Sequence, residues 1–157
     1  MPTPSHLGLQ RWPHKVLEGR KPVRDIYMTA HVTDWLRDTM PSLDPDGYYE
    51  GALSPKLQIL DTFRRFIGGE PLNDLPPKTL KSHPQWIHEI RTHDIRTFGW
   101  FYRSDKFIAS RIDRKERFSK REVTYSGYIE LCCRDREILD LDEPKFIEGE
   151  IDDILQY

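Results

Sequence analysis

Between Trp86 and Ile112 the chain reads WIHEIRTHDIRTFGWFYRSDKFIASRI. Runs rich in Ile, Phe, Trp and Tyr occupy 86–92, 95–102 and 106–112, separated by Thr92-His93-Asp94 and Arg103-Ser104-Asp105. Such runs joined by short polar turns predict a three-stranded antiparallel meander. Gly99, inside the middle run, predicts a bulge or a close backbone approach. The polar positions are mostly basic: Arg91, Arg96, Arg103, Lys106 and Arg111. A sheet carrying them presents a cationic face, suited to phosphate, to an acidic partner or to solvent.

What precedes the meander supplies the rest of a small α+β domain. Residues 1–22 hold Pro2, Pro4, Pro13 and Pro22 and read as an extended arm that Trp12 and Leu17 could pin to the core. Val23–Met28 alternates as a strand. Thr29 can cap a helix with Val32, Trp35 and Leu36 on one face, ended by Pro41. Ser42–Gly51 is a turn-rich loop. Ser54 followed by Pro55 is a strong helix start, and Leu57, Leu60, Phe63 and Ile67 form its apolar stripe until Gly68-Gly69. Pro71–Pro84 reads as a connector. Val123–Cys133 suits helix or strand. Phe146–Leu155 suits one face of a short helix.

At 157 residues, 37% of them hydrophobic, the chain can bury a core of its own. It contains no apolar run near the roughly 20 residues that span a bilayer. The first residues lack the apolar core of a signal peptide. Cys132 and Cys133 are adjacent and make no disulfide framework. A cytoplasmic protein without a membrane partner is expected. His88 and His93 are not at ligand spacing with a cysteine pair, so neither metal nor cofactor is expected.

The net charge of -2 hides a split. From His88 to Arg121 ten basic residues face five acids; from Asp135 to Tyr157 nine acids face Arg136 and Lys145. The organisation expected is an arm at 1–22, a domain at 23–133 and an acidic segment at 134–157. Such asymmetry points to polyanion binding by one part, or simply to solvated surface.

A helix ending FRRFIGGEPLNDLPPKTLK, then IHEIRTHDIRTFGWFYRSDKFIA, then the basic run RKERFSKRE, together resemble the RelE/ParE superfamily of bacterial toxins. The HigB-like and phage-derived members are the most similar. The resemblance covers roughly Val23 to Tyr125. It implies a twisted antiparallel sheet (strand, two helices, three-stranded meander) with a helical hairpin packed on one side. It further implies a toxin-like RNA-binding protein of a toxin-antitoxin system. Such a protein could be a metal-independent, ribosome-dependent mRNA endoribonuclease in which the 2'-hydroxyl attacks the neighbouring phosphate. Its expected partners are RNA or the ribosome, and a cognate antitoxin.

That reaction needs a base, an acid and cations that hold the phosphate charge. Arginine suits the last task because its planar fork pairs two oxygens. Arg96 matches the family's central phosphate-binding arginine and Arg91 the arginine of the preceding strand. Lys115 or Arg117 falls where a second catalytic cation is expected. Tyr125 lies near the terminal tyrosine, at a gap two residues longer. Where RelE has two lysines on its first meander strand, this chain has Ile87 and Glu89. Glu89 could serve as base or pair with Arg91; His88 is the better placed histidine for acid–base work. The catalytic set implied is therefore Arg96, His88, Glu89, Lys115 and Tyr125. Arg91, Arg111, Arg114, Arg117, Lys120 and Arg121 would bind RNA.

The missing lysines and the acidic tail favour a different class: a non-catalytic protein-binding module on the same fold, such as a phage protein that docks on and inhibits a host factor. A third arrangement is self-inhibition, with Phe146–Leu155 laid over the cationic cleft and its acids mimicking phosphate.

Overall fold

The computed structural model describes residues 7–44, 53–72 and 74–155. Within them, six strands form one sheet in the order β1-β2-β6-β5-β4-β3. The meander is β4 (Ile87–Arg91), β5 (Ile95–Arg103) and β6 (Lys106–Arg114), within two residues of the sequence expectation. β2 (Asp25–Met28) lies beside β6 and parallel to it, with Ile26 opposite Phe107. The sheet is therefore mixed, not antiparallel. Leaving β2 through two helices before the meander makes this parallel return feasible, since parallel neighbours need a long crossover.

Two edges were not read from the sequence. β1 (Gln10–Arg11) pairs antiparallel with β2, so the arm joins the sheet rather than hanging free. Leu9 is buried beside it, and the Trp12 ring meets Phe63 edge-on at 4.9 Å. β3 (Lys78–Lys81), inside the expected connector, pairs with β4 on the other edge. The first six positions of the arm, and the loop expected at 42–51 from position 45 on, lie outside the described residues.

The strands alternate, so each face has its own core. On one face lie α1 (Ala30–Asp38) and α2 (Pro55–Ile67). Ile26, Met28, Ile90, Ile95, Phe101 and Ile112 pack there against Val32, Ile59, Phe63 and Phe66. Ser54 caps α2 as expected, its hydroxyl accepting from the Leu57 amide at 3.3 Å. On the other face Tyr27, Ile87, Phe98, Trp100 and Ile108 pack against α4 (Tyr125–Ile138) through Tyr128 and Cys132. Thr124 caps α4, accepting from the Gly127 amide at 3.0 Å, which resolves the open choice at 123–133 as helix. The basic run opens as a short helix, α3 (Lys115–Ser119). Of the last segment only α5 (Ile151–Ile154) is helical.

Gly99 sits at a register shift between β5 and β6. Phe98 opposes Arg111 and Gly99 opposes Ala109, leaving Ser110 as the extra residue of a bulge. A Cβ at position 99 would stand 1.8 Å from the Ile108 carbonyl oxygen, so only glycine allows this approach. The bulge turns Ser110 and Arg111 together toward α4. Both reach Asp135: the serine hydroxyl donates at 2.6 Å, and Arg111 donates two bonds at 2.9 Å.

Candidate functional site

Strand alternation separates His88 from Glu89. His88 is fully buried on the α1/α2 face, its ring 5.4 Å from Phe101 and its Nδ1 3.0 Å from the Thr79 hydroxyl. Nε2 is buried without a partner. Burial pushes the imidazole down to about 4, against weaker pull from Glu150, so it stays neutral at ordinary pH. The sheet itself stands between this ring and the cations, so His88 does not join the expected catalytic set.

Glu89 faces the α4 side, opposite Phe98, and is 2% exposed. Its Oε1 lies 3.8 Å from Arg91 Nε; its Oε2 is buried without a partner. Desolvation raises its pKa, and the charges of Arg96, Arg91 and Lys78 only partly offset that. Arg96, opposite Arg91 in the ladder, is 7% exposed. Its Nη1 donates to the carbonyl oxygens of Thr92 and, at 3.1 Å, of Ile95, and its Nε is buried without a partner. Arg91 donates to the Pro76 carbonyl at 2.9 and 3.2 Å. The structure thus brings Glu89, Arg91 and Arg96 to one face. There Arg96 Nη1 braces the β4–β5 turn through its carbonyl oxygens, and Arg91 ties β4 to the Pro76 carbonyl.

The other expected RNA contacts are mostly paired with acids. Arg111 is held by Asp135, and Arg114 by Glu116. Arg117 meets Asp113 at 2.5 Å and Glu122 at 3.4 Å; Lys120 meets Glu116 at 2.6 Å. Lys115 starts α3, its amide donating to the Asp94 carbonyl at 2.8 Å. Among the described residues, no bond or ion pair occupies the Lys115 ammonium or the Arg121 guanidinium. Tyr125, partly exposed, packs its ring against Phe118 at 4.6 Å with a 31° tilt and meets Phe98 edge-on at 5.8 Å.

Asp113 is the hub that sequence reasoning passed over. Buried on β6, it accepts from the Tyr128 hydroxyl, from Arg117 and, at 2.8 Å, from the Arg114 amide. Burial and then Asp113 push the Tyr128 phenol upward, so it stays protonated. Asp113 and Arg117 are four apart across the β6–α3 junction, a spacing readable in the sequence. Asp135 was not readable, because its partners are 24 and 25 positions away and meet it only through the Ser110 bulge.

The Phe146–Leu155 segment does not lie over these cations. Ile151 and Leu155 enter the α1/α2 core, the Ile147 amide donates to the Phe101 carbonyl at 2.9 Å, and Glu150 accepts from Ser82 at 2.5 Å. The acids that pair with the cations of β6 come instead from elsewhere: Asp135 on α4 for Arg111, Glu116 on α3 for Arg114, and Asp25 and Asp105 for Lys106. No helix among the described residues is long and apolar enough to cross a membrane. No family model, curated protein or solved structure matches the chain.

Proposed function

We propose that this chain is a binding module on a RelE-like frame that acts by docking on another protein and does not cut RNA. The observation that carries this reading is the closure of the polar centre. Arg96, Glu89 and His88 are each less than a tenth exposed, and they lie on two faces of the sheet. A reacting phosphodiester must come within hydrogen-bond reach of base and cation together. Here Arg96 is buried with Nη1 already serving two backbone oxygens, and the histidine is on the far side.

The partner surface lies on α2. Leu57 and Leu60 are exposed there, as is Leu53 just before its cap, and with Trp12, Met28 and Leu36 they line a groove of about 900 Å³. An apolar groove between helices suits the apolar face of an amphipathic helix. An antitoxin or a host factor would supply one.

Expression in bacteria tests the proposal. Growth should continue and ribosome-associated mRNA should stay intact. Growth arrest with mRNA cleavage, both lost in a folded Arg96→Ala variant, would replace docking with catalysis. A second reading keeps RNA as ligand without cleavage, because Lys115, Arg121 and the accessible ring of Tyr125 share the α3–α4 corner. Its signature is binding that weakens with salt at a log-log slope of about -0.7 per phosphate contact, and that fails in Lys115→Ala/Arg121→Ala.

A further inference from the structure

Arg136, near the end of α4, is a buried charge that forms no ion pair among the described residues, its neighbour Glu137 being exposed. The arginine is 7% exposed. Its Nη2 donates to the Gln85 carbonyl at 2.8 Å, and its guanidinium carbon lies 3.8 Å from the centre of the Phe146 ring and 5.5 Å from that of Trp100. Nη1 is shut from solvent and has no partner. Arg111 and Arg117 each hold a carboxylate, whereas Arg136 pairs with none among the described residues. Buried cations are ordinarily paired, and stacking on aromatic rings compensates only part of the lost hydration.

This side chain lines a cavity of about 610 Å³, within the range of small-molecule sites. Gln85 lines it too, and its Oε1 is a second buried atom without a partner. Ile129 and Phe146 supply apolar wall, and the exposed Glu130 and Glu143 stand at the rim. Lys145 does not compete for an anion inside, because its ammonium caps α4 through the carbonyls of Glu137 at 3.0 Å and Leu139 at 2.9 Å.

We propose that this cavity binds an amino-carboxylate zwitterion of the α-amino-acid type. The carboxylate meets the guanidinium of Arg136, the ammonium donates to Gln85 Oε1 and the rim carboxylates, and the apolar stem lies on Ile129. A polyanion such as phosphate is disfavoured because the acids of the lining, Glu130, Glu137 and Glu143, outnumber its one exposed arginine, Arg134. Because Nη1 is closed off in this structure, with Phe146 stacked on the guanidinium, binding displaces that ring. The Phe146 segment, tied at its ends by Trp100 Nε1 to the Lys145 carbonyl at 3.1 Å and by Ile147 to Phe101, reports the event.

The test is a titration of the full chain with L-leucine, 4-methylpentanoate, 3-methylbutylamine and inorganic phosphate, followed by calorimetry and backbone amide shifts. Leucine should bind and move the amides of Gln85, Cys133 and Phe146. Losing either the amine or the carboxylate should weaken binding about tenfold or more, as for a charge-assisted bond. Arg136→Met should abolish the response. Should that variant not fold, Glu130→Gln/Glu143→Gln, on exposed positions, should still weaken leucine binding and leave that of 4-methylpentanoate unweakened. No leucine binding by the unaltered chain, equal binding of phosphate, or indifference to the rim substitutions would each overturn the proposal.

Discussion

The two faces of the sheet are built from the same strands and use opposite chemistry. The face under α1 and α2 is filled by Ile26, Ile90, Ile95, Phe101, Phe107 and Ile112; the histidine buried among them is neutral, and the charges that reach its margin are Asp94, held by Gln58 of α2, and Arg24, over the Phe66 ring. The face under α4 mixes Phe98 and Trp100 with Glu89, Arg96, Arg111 and Asp113. An apolar face gains from area alone, about 25 cal/mol per Å² buried. The mixed face holds together only if each buried charge finds its partner, since an orphaned one costs more than a pair returns. The first face is therefore tolerant in detail and strong in sum, and the second is specific and easily broken.

The largest effect should come from the apolar face. Phe101 is fully buried, with ring contacts at 5.1 Å to Phe107 and 6.3 Å to Phe66. Phe101→Ala should cost about 3–5 kcal/mol in denaturant unfolding. A loss no larger than that of Arg111→Ala would erase the contrast between the faces.

Next comes the pH response of His88. Above its unfolded pKa near 6.5, both folded and unfolded chains hold it neutral and it contributes no pH dependence. As pH falls from 6.5 toward about 4, the unfolded chain takes up a proton that the folded site refuses. Stability should therefore drop through that window, by about 3 kcal/mol at its end. His88→Gln should flatten the curve there. An unchanged slope would show that the ring is protonated in the fold and that the face is less dry than its contacts imply.

On the mixed face, Asp113→Ala strands the Tyr128 hydroxyl and removes one of two acids from Arg117. Arg117 is partly exposed, so water recovers some of the loss, and the expected cost is about 2 kcal/mol. Adding Arg117→Ala should then cost little more, because the pair acts as a unit. Full additivity in that cycle would make Asp113 a hub in geometry only.

These differences also separate what the sequence made legible from what it hid. The apolar face could be read, because strand alternation and the α2 stripe both announce it; strand ends, the Ser54 cap and the close backbone approach at Gly99 all followed. The parallel pairing of β2 with β6 could not, since partners 81 positions apart, such as Ile26 and Phe107, leave no local mark. The helix at 125–138 was ambiguous because its buried stripe, Tyr128, Cys132 and Arg136, is of mixed polarity. The cationic residues were all visible, but their partners were not. Arg111 looks free until the bulge at Ser110 carries it to Asp135, and Arg96 looks like a phosphate ligand until its fork is found on Thr92 and Ile95. Counting cations gives a charge pattern; only the fold decides which of them are still available.

Glu89 gives the smallest expected effect and the one with the most telling sign. It neighbours His88 in sequence, but burial raises its pKa, so the folded state favours the proton that His88 refuses. Its charged form is therefore penalised above the folded pKa, and acidification through that value toward 4.5 returns stability, opposite to the histidine. At pH 7, Glu89→Gln keeps the shape and removes the charge, and should stabilise the fold by on the order of 1 kcal/mol. If Arg91 and Arg96 instead hold the carboxylate firmly, the substitution destabilises, as breaking a buried pair does. Glu89 would then be a braced anion between two arginines, and the mixed face would resemble a preorganised site more than a closed one. Thermal unfolding of Glu89→Gln beside the parent chain, at pH 7 and pH 5, reads the sign directly, and with it whether this face is built to be sealed or to be used.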